Sequence, residues 1–185
     1  MTEFKNKKLI PVVVSGPMMR QLFHSCEPEY IRNVCHGRCC ESSKGILVVI
    51  NKREEKGIVL KGGTVVDGKL DPSLMGKCPF KTHDHLCGIH HTGKPFGCKA
   101  SPFTLNNNDI LIVRNRYRML VCYKAEGSQP AYISHKGSLI TIFGEKEADR
   151  IIKRVIDGDD RILAEMKRDV YAMLKENDAA KKKKV

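Results

Sequence analysis

Cys35-His36-Gly37-Arg38-Cys39-Cys40 puts three thiols within six residues, with one glycine among them. A backbone folding that tightly round an ion needs permissive dihedrals, which Gly37 supplies. Neighbouring side chains diverge, so Cys39 and Cys40 reach one ion only under strain. Two metals of one site, or different irons of one cluster, suit such a pair better. Outward from this loop come Cys78, Cys87 and Cys98, with Gly88, Gly93 and Gly97 interspersed, and then Cys122. Thiolates are ligands for zinc and iron–sulfur clusters, not for magnesium or calcium. Four are enough for a structural zinc or a cubane cluster. Cys35, Cys39, Cys40, Cys78, Cys87, Cys98 and Cys122 are therefore the candidate ligands. Seven exceed one tetrahedral zinc, which favours a polynuclear site or one site with spare thiols.

The eighth cysteine, Cys26, falls on an expected first helix, where a buried structural thiol is the simpler reading. Eight cysteines could also form four disulfides. No export signal follows the charged start Met1–Lys8, and no apolar run approaches a membrane span. The expectation is a cytoplasmic protein without membrane contact, whose thiols stay reduced and serve metal or chemistry.

The net charge of +12 invites a nucleic-acid reading. Its distribution argues against it. Residues 1–144 hold 21 Lys and Arg against 11 Asp and Glu, whereas residues 145–185 hold 12 against 10. The excess accompanies the cysteines, and seven thiolates would bring +12 down to +5 before the metal's own charge. Arg114, Arg116 and Arg118 alternate, so on a strand they would share a face toward thiolates or an anion. Lys181–Lys184 read as a solvated end. His83, His85, His90 and His91 lie among the cysteines, where any one could replace a thiolate. No phosphate-binding glycine loop, dinucleotide fingerprint or HExxH is present.

The ordered motifs resemble a known family. Cys35-His36-Gly37-Arg38-Cys39-Cys40 is followed by Cys78-Pro79-Phe80, by Cys87-Gly88-Ile89-His90, by Lys94-Pro95-Phe96-Gly97-Cys98-Lys99 and by Ser101-Pro102-Phe103. This order is similar to that of the YkgJ-type cysteine-cluster proteins, described as zinc- or iron-chelating domains. The likeness spans roughly residues 35–103 and implies metal binding without implying one reaction. The chain departs from the pattern in lacking two separate leading cysteines in the first loop, and in carrying Lys94 where arginine is usual.

Around the cysteines, Val12–Val14 reads as extended, and Ser15-Gly16-Pro17 as the start of a helix through Met18–Cys26. Ile46–Asn51 and Ile58–Leu60 read as strands about a turn at Lys52–Lys56, with Thr64–Val66 a third. Cys78–Ser101 is irregular, and Ile110–Tyr123 extended. Ala131–Phe143 and Glu145–Ile156 read as helices. A third, capped by Asp159 or Asp160, would carry Ile162, Leu163, Met166, Val170, Met173 and Leu174 on one stripe. The expected fold is α+β: a small, irregular, metal-nucleated cysteine-cluster domain (10–126) with short strands. A C-terminal helical segment (127–185) with a basic end packs on it. The favoured function is binding zinc or an iron–sulfur cluster at a site that is structural or supports an interaction. The alternatives are an iron–sulfur redox or modification enzyme and a nucleic-acid-associated protein.

Overall fold

Val12 and Val14 are buried while their neighbours Pro11 and Val13 are not, the period-two signature of a strand. In the computed structural model this strand, β1 (Leu9–Ser15), is the axis of the fold. The structure describes residues 9–41, 48–72 and 76–179, with side chains through 175. Pro17 sits in the first turn of the short helix α1 (Gly16–Met19). Gly16 is required there, since a Cβ would stand 1.9 Å from the Asp159 carbonyl oxygen.

The chain continues through β2 (Leu22–Phe23) and α2 (Pro28–Tyr30), which runs into a wide π turn over Ile31–Cys35. Next come α3 (Lys52–Leu60), the hairpin β3 (Val65–Val66) and β4 (Lys69–Leu70), and α4 (Phe96–Lys99). β5 (Phe103–Leu105) and β6 (Ile110–Val113) form a second hairpin, followed by a 3-10 turn over Asn115–Met119 and by β7 (Gln129–Pro130). The helices α5 (Ala131–Ser134), α6 (Lys136–Phe143) and α7 (Glu145–Ile156) lead to β8 (Arg161–Lys167) and α8 (Arg168–Ala179).

Four strands make the main sheet in the order β5-β6-β1-β8. β1 runs parallel to β6 and antiparallel to β8, from Leu9 opposite Lys167 to Ser15 opposite Arg161. The larger core joins this sheet to the helices through Leu111, Val113, Leu139, Ile142, Ile151, Ile162, Met166 and Leu174. A second, smaller core holds Val48, Ile50, Ile58, Leu70, Phe80 and Ile89. Cys39 and Cys122 pack on the larger core, and Cys78, Cys87 and Cys98 on the smaller, so the thiols occupy the ground between the two.

The α+β class is as expected from the sequence, as are α7, the Val65–Val66 strand and the opening extended segment. Several local readings are corrected. The first helix stops at Met19, and Cys26 lies in a loop. Lys52–Leu60 is a helix, not a turn and a strand. Asn51 caps it by accepting from the Arg53 and Glu54 amides, and the Glu54 carboxylate accepts from the Asn51 amide at 3.3 Å. Arg161–Lys167 is a strand, because Ile162, Ala164 and Met166 point inward while Leu163 is 67% exposed. Ala131–Phe143 breaks at His135. Lys181–Lys184 and the start of the Ile46–Asn51 segment lie outside the described residues.

Candidate metal centre

The first cysteine loop is built from two consecutive left-handed residues, His36 (φ 50°) and Gly37 (φ 58°). His36 donates its amide to Ile31 at 2.8 Å to close the π turn, and Cys40 donates to Gly37 at 2.8 Å. A Cβ on Gly37 would meet the His85 carbonyl oxygen at 2.7 Å, so glycine is demanded by both dihedral and space. This turn aims the Gly37 amide at the Cys35 sulfur, 3.4 Å away. The adjacent Cys39 and Cys40 sulfurs approach to 3.9 Å. That is near the roughly 3.8 Å separating two thiolates on one tetrahedral zinc, given Zn–S bonds of about 2.3 Å.

The second group of cysteines is tied directly to the first. Cys78 donates its amide to the Cys40 carbonyl, and Glu41 bridges to Lys77 alongside. Cys78-Pro79-Phe80-Lys81 is a tight turn closed by a 3.0 Å bond from the Lys81 amide to the Cys78 carbonyl. Lys81 then pairs with Cys87, and the Gly88 amide reaches the Phe80 carbonyl at 2.8 Å. The Phe80 ring anchors this small hairpin in the lesser core. Cys98 rides on α4, where the Phe96 amide donates to the Glu54 carboxylate at 2.7 Å. α3 therefore fixes the position of a candidate ligand. Gly88 and Gly97 adopt no left-handed backbone, unlike Gly37 and Gly93 (φ 150°).

Cys122 and Cys26 enter from the other side. Phe23 pairs with Tyr123, the His24 amide donates to the Cys122 carbonyl at 2.8 Å, and the Tyr30 hydroxyl reaches the Val121 carbonyl at 3.3 Å. His24 stacks on Tyr30 with ring centroids 3.6 Å apart. The segment 23–30 is thereby laid against 121–123, and Cys26, between them, has Cys39, Cys122 and Cys35 as electrostatic neighbours. Although Cys26 is an exposed residue, the protein around its sulfur pushes the thiol up to about 12. By sequence this cysteine lies outside the candidate ligands. The even total of eight was the one signal that could have included it.

Cys39 is the centre of the arrangement. It is held below the usual thiol range, to about 6, first by a hydrogen bond from the Cys40 thiol, then by Lys94 and Arg116. Cys40 is correspondingly raised, by that bond and by burial. Burial pushes Cys98 to about 12 and Cys122 to about 11. Thiols that hold their protons in a poorly solvated site give them up readily only to a metal. Lys81, beside Cys35, is ion-paired with Glu41. All eight cysteines are free, none in a disulfide.

The arginine row is corrected. Arg114, just after β6, is a buried side chain, while Arg116 and Arg118 lie on a 3-10 turn rather than on one strand face. Arg116 sits over the Tyr117 ring, 5.1 Å from its centroid, and acts on Cys39, whereas Arg118 turns to Asn115. His36 and His85 stand edge to face beside the first loop at 4.7 Å, as do His90 and His91 beside the second.

Among the described residues, no group of three or more His, Cys, Asp or Glu side chains is placed so that it could hold a metal ion. The donor chemistry is gathered, but the sulfurs are not closed to bonding distance. No helix among the described residues is long and apolar enough to cross a membrane. Comparison with family models, curated proteins and solved structures finds no match.

Proposed function

We propose that this protein binds zinc or an iron–sulfur cluster through its cysteines, at a site that is structural or supports an interaction. The observation that carries the reading is the gathering of thiols from distant segments around Cys39, on the ground between two hydrophobic cores. Cys35, Cys39, Cys40, Cys78, Cys87, Cys98 and Cys122 would supply the ligands. A metal would replace the thiol protons with ionic and covalent bonds that join the cores. The side chains need to close by rotation about χ1, which a ligand's own bond energy can drive. The resemblance of the motif order to that of the YkgJ-type proteins supports the same reading, and the proposal includes a reduced, cytoplasmic setting.

Arg116, Lys94 and Lys81, near the thiols, support the view that part of the basic excess offsets thiolate charge. Redox or modification chemistry and nucleic-acid association are therefore secondary proposals. The test is anaerobic purification followed by metal analysis and an absorption spectrum. Stoichiometric colourless zinc, or a brown iron–sulfur chromophore, is the expected result. A folded, metal-free protein that takes up neither on anaerobic reconstitution would overturn the proposal.

A further inference from the structure

The main sheet has two edges, and they are finished differently. β5 is three residues long and buried throughout, and Lys175 of α8 bonds the Asn106 carbonyl just past its end at 2.8 Å. β8 is seven residues long, and Arg161, Leu163, Glu165 and Lys167 are exposed along it. An exposed edge of that length is a template for a further strand. Across it lies a clasp from α7. Arg150 donates through Nη2 to the Leu163 carbonyl at 2.6 Å, and Glu147 Oε1 accepts from the Glu165 amide at 3.2 Å. The two side chains hold each other, Nε to Oε2 at 2.8 Å and Nη2 to Oε1 at 2.7 Å. One donor and one acceptor thus meet β8 where the backbone of a neighbouring strand would. Because the Glu165 amide turns to Glu147, the odd-numbered residues of β8 face their backbone groups away from β1.

We propose that this clasp is a guard against self-association: with it open, β8 pairs antiparallel with β8 of a second copy about a two-fold axis at Leu163. The charge pattern selects both the occupant and the register. In that register Leu163 faces Leu163, and Arg161 of each copy faces Glu165 of the other, giving two opposite-charge pairs. Centring the axis on Ala164 would set Arg161 against Lys167, and centring it on Glu165 would set that carboxylate against itself. A strand that is its own charge complement in one register fits a second copy of this chain better than an unrelated strand. Leu163, 67% exposed, is covered by its counterpart. The clasp and the pairing use the same Leu163 carbonyl and Glu165 amide, so each excludes the other. No cysteine takes part, and the proposal stands apart from metal binding.

The test is sedimentation equilibrium on the full chain, with reductant present, at concentrations up to about 1 mM. The parent should stay monomeric. Glu147→Ala combined with Arg150→Ala should form a dimer, with self-association tightened by about tenfold or more. Adding Glu165→Arg sets like charges opposite each other and should return that protein to monomer. Adding Arg161→Glu as well should restore the dimer. Where the double variant fails to fold, Arg150→Gln, which releases the Leu163 carbonyl alone, carries the same comparison. The proposal is overturned by a clasp-free protein that associates no more tightly than the parent, or by a dimer indifferent to the charges at 161 and 165.

Discussion

The amide of Cys78 donates to the carbonyl of Cys40 at 3.0 Å, and this bond splices the first cysteine loop to the second. Beside it, the Glu41–Lys77 bridge and the Lys81–Glu41 ion pair link the same two loops. Metal–sulfur bonds at the proposed ligands, which span Cys35 to Cys122, would add to the closure of those loops. Chelation under anaerobic conditions should therefore lower the melting temperature by on the order of 10 °C or more. Differential scanning calorimetry before and after verified metal removal measures this. Superimposable curves would rule out coupling between metal and fold.

Arg116 and Arg118 should separate cleanly. Arg116 acts on the Cys39 sulfur, while Arg118 bonds to Asn115 on the exposed turn. Charge-assisted contacts around ligands tune their basicity, and losing one typically costs roughly 10–100-fold in metal affinity. Arg116→Met should speed zinc transfer to a chromogenic chelator by about that factor. Arg118→Met should leave the rate close to the parent's, and equal effects from the two would undo the assignment.

Asp109 supplies a pH dependence away from the thiols. It sits in the β5–β6 turn and ties down α8, accepting from the Tyr171 hydroxyl at 2.8 Å and from Lys175 at 2.6 Å. Those two bonds, Lys175 first, hold its carboxyl below the ordinary value of 3.8. A depressed carboxyl stabilises the fold fully above the unfolded-state value, and the benefit fades as pH falls through the folded one. Parent and Asp109→Asn should differ by roughly 0.2–1 kcal/mol at pH 7, as for other exposed pairs. The gap in urea midpoint should close as the pH falls below about 4. Taking the difference removes metal loss common to both proteins. A gap that widens in acid would contradict the pairing.

Strand β8 gives a test that a helix in its place would fail. Ile162→Ala should cost about 2–5 kcal/mol by emptying a core position. Leu163→Ala should stay within about 0.5 kcal/mol, since that side chain faces solvent. On a helical stripe the two would be comparably costly. Urea unfolding of both variants decides between the two arrangements.

Those two residues also mark how far the sequence could be read. Ile162 and Met166 fit a three-and-four spacing as well as alternation, and exposed Leu163, which fits only the former, tips the reading toward helix. Lys52–Lys56 reads as a turn because it is charged, and Ile58–Leu60 as a strand, although Asn51 and Glu54 spell a capping box. Glu145–Ile156 was plain, since Ala148, Ile151 and Val155 leave one unambiguous face. At the site, Gly37 signals half of the left-handed turn in the Cys35–Cys40 loop, and His36, the other half, carries no such signal. Cys26 did not announce itself, because its neighbours are set by the pairing of Phe23 with Tyr123 from far along the chain. Arg114–Arg118 misled for the opposite reason: an alternating pattern carried no strand beyond Val113.

The pairing of β1 with β8 sets an order on events at the ribosome. β1 is made first, yet its antiparallel neighbour is not complete until Lys167 has been added. Every cysteine, through Cys122, has left the peptidyl-transferase centre by then. At roughly 5–20 residues per second, the interval between Cys122 and Lys167 lasts several seconds. During it the nascent chain carries all its thiols without the strand that completes its principal sheet. If the thiols bind metal as proposed, reductant and metal supply during translation would bear on the yield of native protein as well as conditions after release.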